Sequence, residues 1–240
     1  MSNSSSCAKN LRNLLKKIGT VEAPDFPDAN DPVTVLILSF LMWETTTSRA
    51  LVAYERIKEN MVDFNDLRVC MPHEVVETIG KRYPLAIERC ERLRAALRHI
   101  YLREHVVSLN SLKGQGKREI KKYIETLDGV MTYSAARIQL VAFNTHGIPV
   151  DEQLRGLLIA HEAAEESLSL TDLSSWLSRQ IKAEKSLETH YALQKWVDKG
   201  GHKVSPTSSS QASTGKKSAK KSTKLSGSKS TTKKTPAVKA

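Results

Sequence analysis

Residues 117–151 combine a phosphate-binding type of turn with an isolated carboxylate. Ile120 and Ile124 begin an apolar stripe with helical spacing, Gly129 interrupts it, and the spacing resumes at Ala135. A short turn containing Gly between two helices can direct free backbone N–H groups and a helix start at a phosphate. The same pattern is typical of two helices that simply pack together, so both interpretations stay open.

Asp151 stands alone at the end of this stretch, before another helical pattern. A carboxylate beside a sugar carbon stabilises positive charge that develops there, and it can orient water as a general base. An Asp directly before a helix is also a common N-cap. We therefore predict a helix from about Glu152 and keep both roles for Asp151.

The surrounding sequence predicts a nearly all-helical fold, because apolar residues recur at intervals of three and four positions and few runs alternate between apolar and polar residues. Residues 33–43, VTVLILSFLMW, are apolar on every side and predict a buried central helix. A polar turn follows at 45–48, with an N-cap expected at Thr47 or Ser48.

Further helices are predicted on either side of these elements. Leu11 and Ile18 belong to a short amphipathic helix that follows a disordered start at residues 1–7. A long amphipathic helix occupies about 86–101, and we assign Arg89 and its basic neighbours to a solvated face, with phosphate contact as the alternative. Helical stripes follow Asp151.

Basic charge is concentrated in a C-terminal tail. The 240 residues carry a net charge of +11, and ten of the 37 basic residues are lysines in residues 203–240, which contain no Asp, Glu or Arg. The preceding residues are nearly neutral. The tail is rich in Ser, Thr, Lys, Ala and Gly and cannot build a core, which predicts disorder.

Several classes of protein are disfavoured. The sequence has no apolar run long enough to span a membrane, and its N-terminus has no apolar segment typical of a secretory signal. Cys7, Cys70 and Cys90 are odd in number and far apart, which disfavours a disulfide framework or metal cluster. The seven His residues show no ligand spacing. We expect an intracellular protein of cytoplasm and nucleoid, or of the nucleus in a eukaryote, without metal or cofactor.

Four segments resemble the helix-hairpin-helix DNA glycosylase superfamily, the group of endonuclease III and the adenine mismatch glycosylases. In chain order they read PVTVLILSFLMWETTTS, IGKRYPLAIERCERLRAAL, LDGVMTYSAARIQLVAF and IPVDEQLRG. The resemblance runs from about Pro32 to the region of Trp196. Eighteen residues separate Tyr133 from Asp151, as in the family between its hairpin catalytic position and its Asp.

The resemblance implies an all-α fold of two lobes. One lobe comprises about residues 36–140, and the other joins the N-terminal helix to the helices after Asp151. A nucleotide turned out of the duplex enters the cleft between them, because the glycosidic carbon is inaccessible inside the stack. We assign residues 1–31 to an N-terminal segment with one short helix, 32–201 to the glycosylase-like domain and 202–240 to the tail.

The resemblance also implies site residues. Asp151 matches the catalytic carboxylate, and Tyr133 stands where bifunctional members carry a nucleophilic Lys. A phenol cannot form a Schiff base, so we expect base removal without β-lyase activity. The expected DNA contacts are Glu44 and Thr46 in the polar turn, Leu127, Gly129, Val130, Met131 and Ser134 in the hairpin, and Lys216, Lys217, Lys220 and Lys221 in the tail.

Departures from the family pattern weigh against activity. Met131 replaces the second hairpin Gly, which tolerates positive φ and close approach to phosphate. Glu44 replaces a Gln that fills the gap left by the flipped nucleotide, and its charge repels DNA. The acid of adenine-specific members falls near Phe40, so adenine specificity has no support, and the four-Cys iron–sulfur loop is absent.

The tail, which contains KKSAKKSTKLSGSKSTTKK, resembles linker-histone tails in composition. Such a tail neutralises phosphate without reading sequence and tethers a domain near DNA. A solubilising or targeting role, or binding to RNA, is compatible with the same charge.

Three functional hypotheses follow. The first is a monofunctional DNA glycosylase of base-excision repair that acts as a monomer on double-stranded DNA. The second is a DNA-binding protein that keeps the fold without the chemistry. The third is a helical scaffold whose tail binds RNA or protein.

Overall fold

The structure, a computed structural model, describes residues 2–22, 24–27 and 30–201. The described residues lie within one unit, Met1–Pro206. Their regular structure is helical throughout, which confirms the predicted fold class. The α-helices, in order, are α1 (Ser2–Ile18), α2 (Pro32–Met42), α3 (Thr47–Asn60), α4 (Phe64–Val69), α5 (Pro72–Ile79), α6 (Ala86–Glu104), α7 (Lys117–Glu125), α8 (Thr132–Phe143), α9 (Glu152–Ala160), α10 (Leu170–Gln180) and α11 (Ser186–Asp198).

Helix α2 is the central element, as predicted. Its N-cap Asp31 accepts hydrogen bonds from the backbone N–H groups of Val33 and Thr34, and Pro32 occupies the first turn, where no N–H donor is needed. All eleven residues of α2 are buried. Helices α3, α6 and α8 pack against it.

The two predicted lobes correspond to two hydrophobic cores. The first lobe contains α2 to α8, and its core extends from Phe26 to Ile138 with Tyr191 added from α11. The second lobe contains α1, α9 and α10, with Ile148 and Val150 from the loop before α9. Helix α11 contributes to both cores and therefore connects the lobes.

The predicted disorder of residues 1–7 is wrong, because α1 begins at Ser2. Cys7 is buried together with Leu11, Leu14 and Ile18, and it extends their stripe by one helical turn. The predicted apolar stripe begins one turn too late, at Leu11, because a single Cys among Ser residues is a weak hydrophobic signal.

The predicted solvated position of Arg89 is also wrong, since its side chain is fully buried. Its guanidinium donates to the carbonyl oxygens of Phe40, Leu41 (3.1 Å) and Trp43 (2.6 Å) at the end of α2. The rings of Trp43 and Tyr83 lie 5.5 and 5.0 Å from the guanidinium. Arg89 thus satisfies carbonyls that a helix end leaves without intrahelical partners.

No helix within the described ranges is both long and apolar enough to cross a membrane.

Candidate nucleic-acid site

The hairpin between α7 and α8 packs closely against α6. Gly129 has φ +75°, and a Cβ added there would collide with the carbonyl oxygen of Arg92 and lie 3.0 Å from its Cα and carbonyl carbon. This position therefore needs Gly both for its backbone conformation and for space. The Asp128 N–H also donates to His99 Nδ1 of α6 at 3.0 Å, which fixes the turn on that helix.

Met131 does not need to be Gly in this hairpin. Its φ is −100° with an extended ψ, so the expected conflict with positive φ does not exist. As the N-cap of α8, Met131 makes no side-chain capping bond. Backbone N–H groups in the first turn of α8 therefore have no capping side chain, an arrangement suited to an anion.

A groove of about 520 Å³ lies beside the hairpin. Lys121, Met131 and Thr132 belong to one wall, and hydroxyl-bearing residues of α10, including Ser174, belong to the other. Tyr133 and Asp151 are not among its lining residues.

Two hairpin residues predicted to contact DNA have buried side chains. Leu127 is in the first core, and Ser134 is fully buried with its hydroxyl 3.4 Å from the carbonyl oxygen of Ser39. Gly129, Val130 and Met131 are half-buried. A phosphate contact could therefore use only the backbone of Ser134, because the Leu127 N–H already donates to the Ile124 carbonyl oxygen at 3.2 Å.

Asp151 is the N-cap of α9, as its sequence position predicts. One carboxylate oxygen, Oδ1, accepts from the Leu154 N–H at 2.9 Å, and the other, Oδ2, accepts from the Glu44 N–H at 3.3 Å. The side chain is only 4% exposed. Burial raises the pKa of this carboxyl, although the N–H donors act in the opposite direction.

Glu44 faces α9. Its backbone is left-handed, with φ +52°, and its Oε1 accepts from the Glu152 N–H at 2.8 Å. Burial, followed by the charge of Asp151, raises the pKa of the Glu44 carboxyl. Glu44 and Asp151 are therefore two neighbouring carboxyl groups at one helix N-terminus.

Tyr133 is also only 4% exposed, and burial raises the pKa of its phenol. Its hydroxyl donates to Gln194 Oε1 at 3.2 Å, and Gln194 Nε2 donates to Asp198 Oδ1 at 3.2 Å. The Thr47 N–H donates to the same Asp198 oxygen at 3.0 Å. Sequence reasoning missed Gln194 and Asp198, whose only signal is a spacing of four residues, which places both on one face of α11.

The turn at 43–47 connects the two candidate residues. Its Glu44 N–H holds Asp151, while its Thr47 N–H reaches the end of the hydrogen-bonded chain from Tyr133. The charge of Asp151 also contributes to the raised pKa of Tyr133. Asp151 and the hydrogen-bonded chain from Tyr133 therefore reach the same turn, and both side chains are buried.

Thr46 is half-buried in this turn, with its hydroxyl 3.3 Å from that of Ser48. Thr46 is the N-cap of α3 by position, one residue earlier than predicted, but makes no side-chain capping bond. Asp198 from α11 accepts the Thr47 N–H instead.

Two further predictions concern neither the hairpin nor the turn at 43–47: the DNA contacts of the tail lysines and the expected lack of a metal. Lys216, Lys217, Lys220 and Lys221 fall in residues 202–240, outside the described residues. Across the described part of the chain, no three His, Cys, Asp or Glu side chains gather in a way that could hold a metal ion.

Comparisons with solved structures show the fold. A 3-methyladenine DNA glycosylase of H. pylori (MagIII), bound to 1,N6-ethenoadenine, has a TM-score of 0.58 and 16% identity over 82% of this chain and 97% of its own. A thermostable thymine-DNA glycosylase has a TM-score of 0.54 and 18% identity over 82% of this chain and 86% of its own. Endonuclease III in a trapped covalent intermediate with DNA has a TM-score of 0.53 and 17% identity over 80% of this chain and 83% of its own.

The chain therefore has the helix-hairpin-helix DNA glycosylase fold, and the resemblance noted in the sequence is confirmed at the level of fold. No family profile matches the sequence, and no curated protein matches it.

Proposed function

We propose that this protein binds double-stranded DNA and removes a base that has been turned out of the duplex, leaving the strand intact. The observation that carries this proposal is that Asp151 and the hydrogen-bonded chain from Tyr133 meet at the turn 43–47. Tyr133 is the second residue of α8, so this chain of hydrogen bonds begins directly after the hairpin.

In the proposed reaction the bond between the sugar C1′ and the base nitrogen breaks, and its electron pair leaves with the base. Asp151 stabilises the positive charge left on the sugar and orients the water that adds to C1′. The proton that this water loses ends on the departing base, so the products are the free base and an abasic sugar. Tyr133 provides no amine for a Schiff base, and its raised pKa keeps the phenol protonated. The expected product is an abasic site in an uncut strand.

Exposure of the site favours the second candidate function, DNA binding without catalysis. Asp151 and Tyr133 are each 4% exposed, so a flipped nucleotide reaches them only if the surrounding turn moves. A protein that never opens this turn would keep the hairpin contact with phosphate and perform no excision.

Residues 203–240 extend the proposal to tethering. Their ten lysines would bind duplex phosphate through charge alone and raise the local concentration of the folded part on DNA. A monomer acting in a DNA-containing compartment suffices for this function.

One assay separates these functions. Purified protein is incubated with duplexes carrying uracil, oxidised, alkylated or mismatched bases, and strand breaks are measured with and without alkali. Breaks that need alkali and disappear in Asp151→Asn support excision. Intact DNA affinity without breaks on every lesion supports the non-catalytic function.

A further inference from the structure

The turn that carries Glu44 has an unfavourable backbone. Glu44 is left-handed at φ +52°, a conformation that residues with a Cβ seldom adopt and that persists only where its surroundings enforce it.

The turn is held at both of its ends. Arg89 Nη2 donates to the Trp43 carbonyl oxygen at 2.6 Å on one side of Glu44. On the other side, Asp198 accepts the Thr47 N–H at 3.0 Å. These contacts come from α6 and α11, so both neighbouring helices determine where Glu44 lies.

Glu44 and the start of α9 exchange hydrogen bonds. The Glu44 N–H donates to Asp151 Oδ2, and the Glu152 N–H donates to Glu44 Oε1. Since Leu154 donates to Asp151 Oδ1, two donors fix both oxygens of the Asp151 carboxylate. The Glu44 carboxylate therefore adds a second hydrogen bond between the turn and α9, beside the one that its own N–H makes to Asp151.

We propose that Glu44 is a positioning residue for Asp151: its carboxylate bridges to α9, and this bridge holds the Asp151 carboxylate in place. The meaning of this role for catalysis rests on the proposed function, but the positioning itself does not. Glu44 then acts by hydrogen bonding, and an amide oxygen at the same place can replace it.

Amide hydrogen exchange at Leu154 tests the proposal in the full-length chain. Leu154 reports the placement of Asp151, and Glu44 makes no direct hydrogen bond to it. Glu44→Gly tolerates the left-handed backbone and removes the side chain together with its carboxylate. We expect Leu154 to exchange about five- to tenfold faster, as for a lost N-cap bond. Glu44→Gln keeps an acceptor oxygen, so exchange at Leu154 stays close to wild type.

Two further variants make the test decisive. Glu44→Asn also tolerates the left-handed backbone, but its shorter side chain does not reach Glu152, so it matches Glu44→Gly and replaces it if that variant is unfolded. Glu77→Gln controls for loss of a charge, because Glu77 lies on α5 in an exposed ion pair with Lys81. Unchanged Leu154 exchange in the Gly and Asn variants, or equally fast exchange in Glu44→Gln, overturns the proposal.

Excision rates separate this inference from the proposed function. If the wild-type protein removes a base, Glu44→Gln should be faster than Glu44→Gly and should move the acid limb of the pH profile to lower pH, because the neighbouring negative charge is gone. Glu44→Gly should lower the single-turnover rate. If no protein removes any base, the proposed function fails, and the Leu154 exchange still decides whether Glu44 positions Asp151.

Discussion

Gly129→Ala should destabilise the folded protein more than any other exchange of Gly for Ala in the hairpin region. Two penalties add at this position. The left-handed backbone at φ +75° costs an L-residue about 1–2 kcal/mol. The added Cβ would also collide with the Arg92 backbone, which cannot rotate away as a side chain can, and overpacking of this kind costs about 1–3 kcal/mol.

The sum is a loss of about 2–5 kcal/mol in the free energy of unfolding, which lowers Tm by roughly 4–20 °C for a domain of this size. Thermal unfolding followed by circular dichroism measures it. Gly147→Ala is the matched control, because that glycine lacks positive φ and has no atom within 4 Å of an added Cβ. A Tm for Gly129→Ala within 2 °C of this control would refute the packing of the hairpin on α6.

Four other outcomes are expected. Met131→Gly should lower stability by about 0.5–1 kcal/mol through backbone entropy and should not raise DNA affinity in a binding titration, because φ is already negative. Arg89→Lys should cost on the order of 3 kcal/mol in chemical denaturation, since one ammonium cannot serve several carbonyls at the end of α2. Burial lowers the pKa of His190 to about 3, below its value in the unfolded chain. The free energy of unfolding should therefore fall as the pH drops from about 6.5 towards 3, by up to about 1.4 kcal/mol per pH unit. Urea titrations should show a shallower fall in His190→Gln. Truncation after His202 should keep Tm and should reduce both DNA affinity and its salt dependence, which is about −0.9 per phosphate neutralised; an unchanged salt slope would contradict tethering.

Periodicity was sufficient to predict most of the helices, whereas their division into two lobes was implied by the resemblance to the glycosylase superfamily. The run of apolar residues in α2 has no polar face, so it predicts a buried helix without reference to any other part of the chain. The start of α1 and the burial of Arg89 could not be predicted in this way. Both depend on what the residue meets in three dimensions: a core beside Cys7, and the carbonyl oxygens at the end of α2 beside Arg89.

The site was predictable in part. The position of Asp151 before an apolar helix predicts its N-cap role, which the Leu154 bond confirms. The orientation of Glu44 follows from a left-handed backbone that no local pattern in a Glu residue predicts. The roles of Gln194 and Asp198 depend on the docking of α11 between the lobes, which is a long-range contact.

The central claim is that Asp151 is a catalytic carboxylate as well as a helix cap. Its most direct test is the single-turnover rate of base release from a lesion duplex, measured as alkali-dependent strand cleavage for the wild-type protein and Asp151→Asn. If Asp151 is catalytic, the wild-type protein releases the base, and Asp151→Asn does so at a rate at least about a hundredfold lower while its DNA affinity is retained. Equal rates in the two proteins, or no release by the wild-type protein from any lesion it binds, would contradict it.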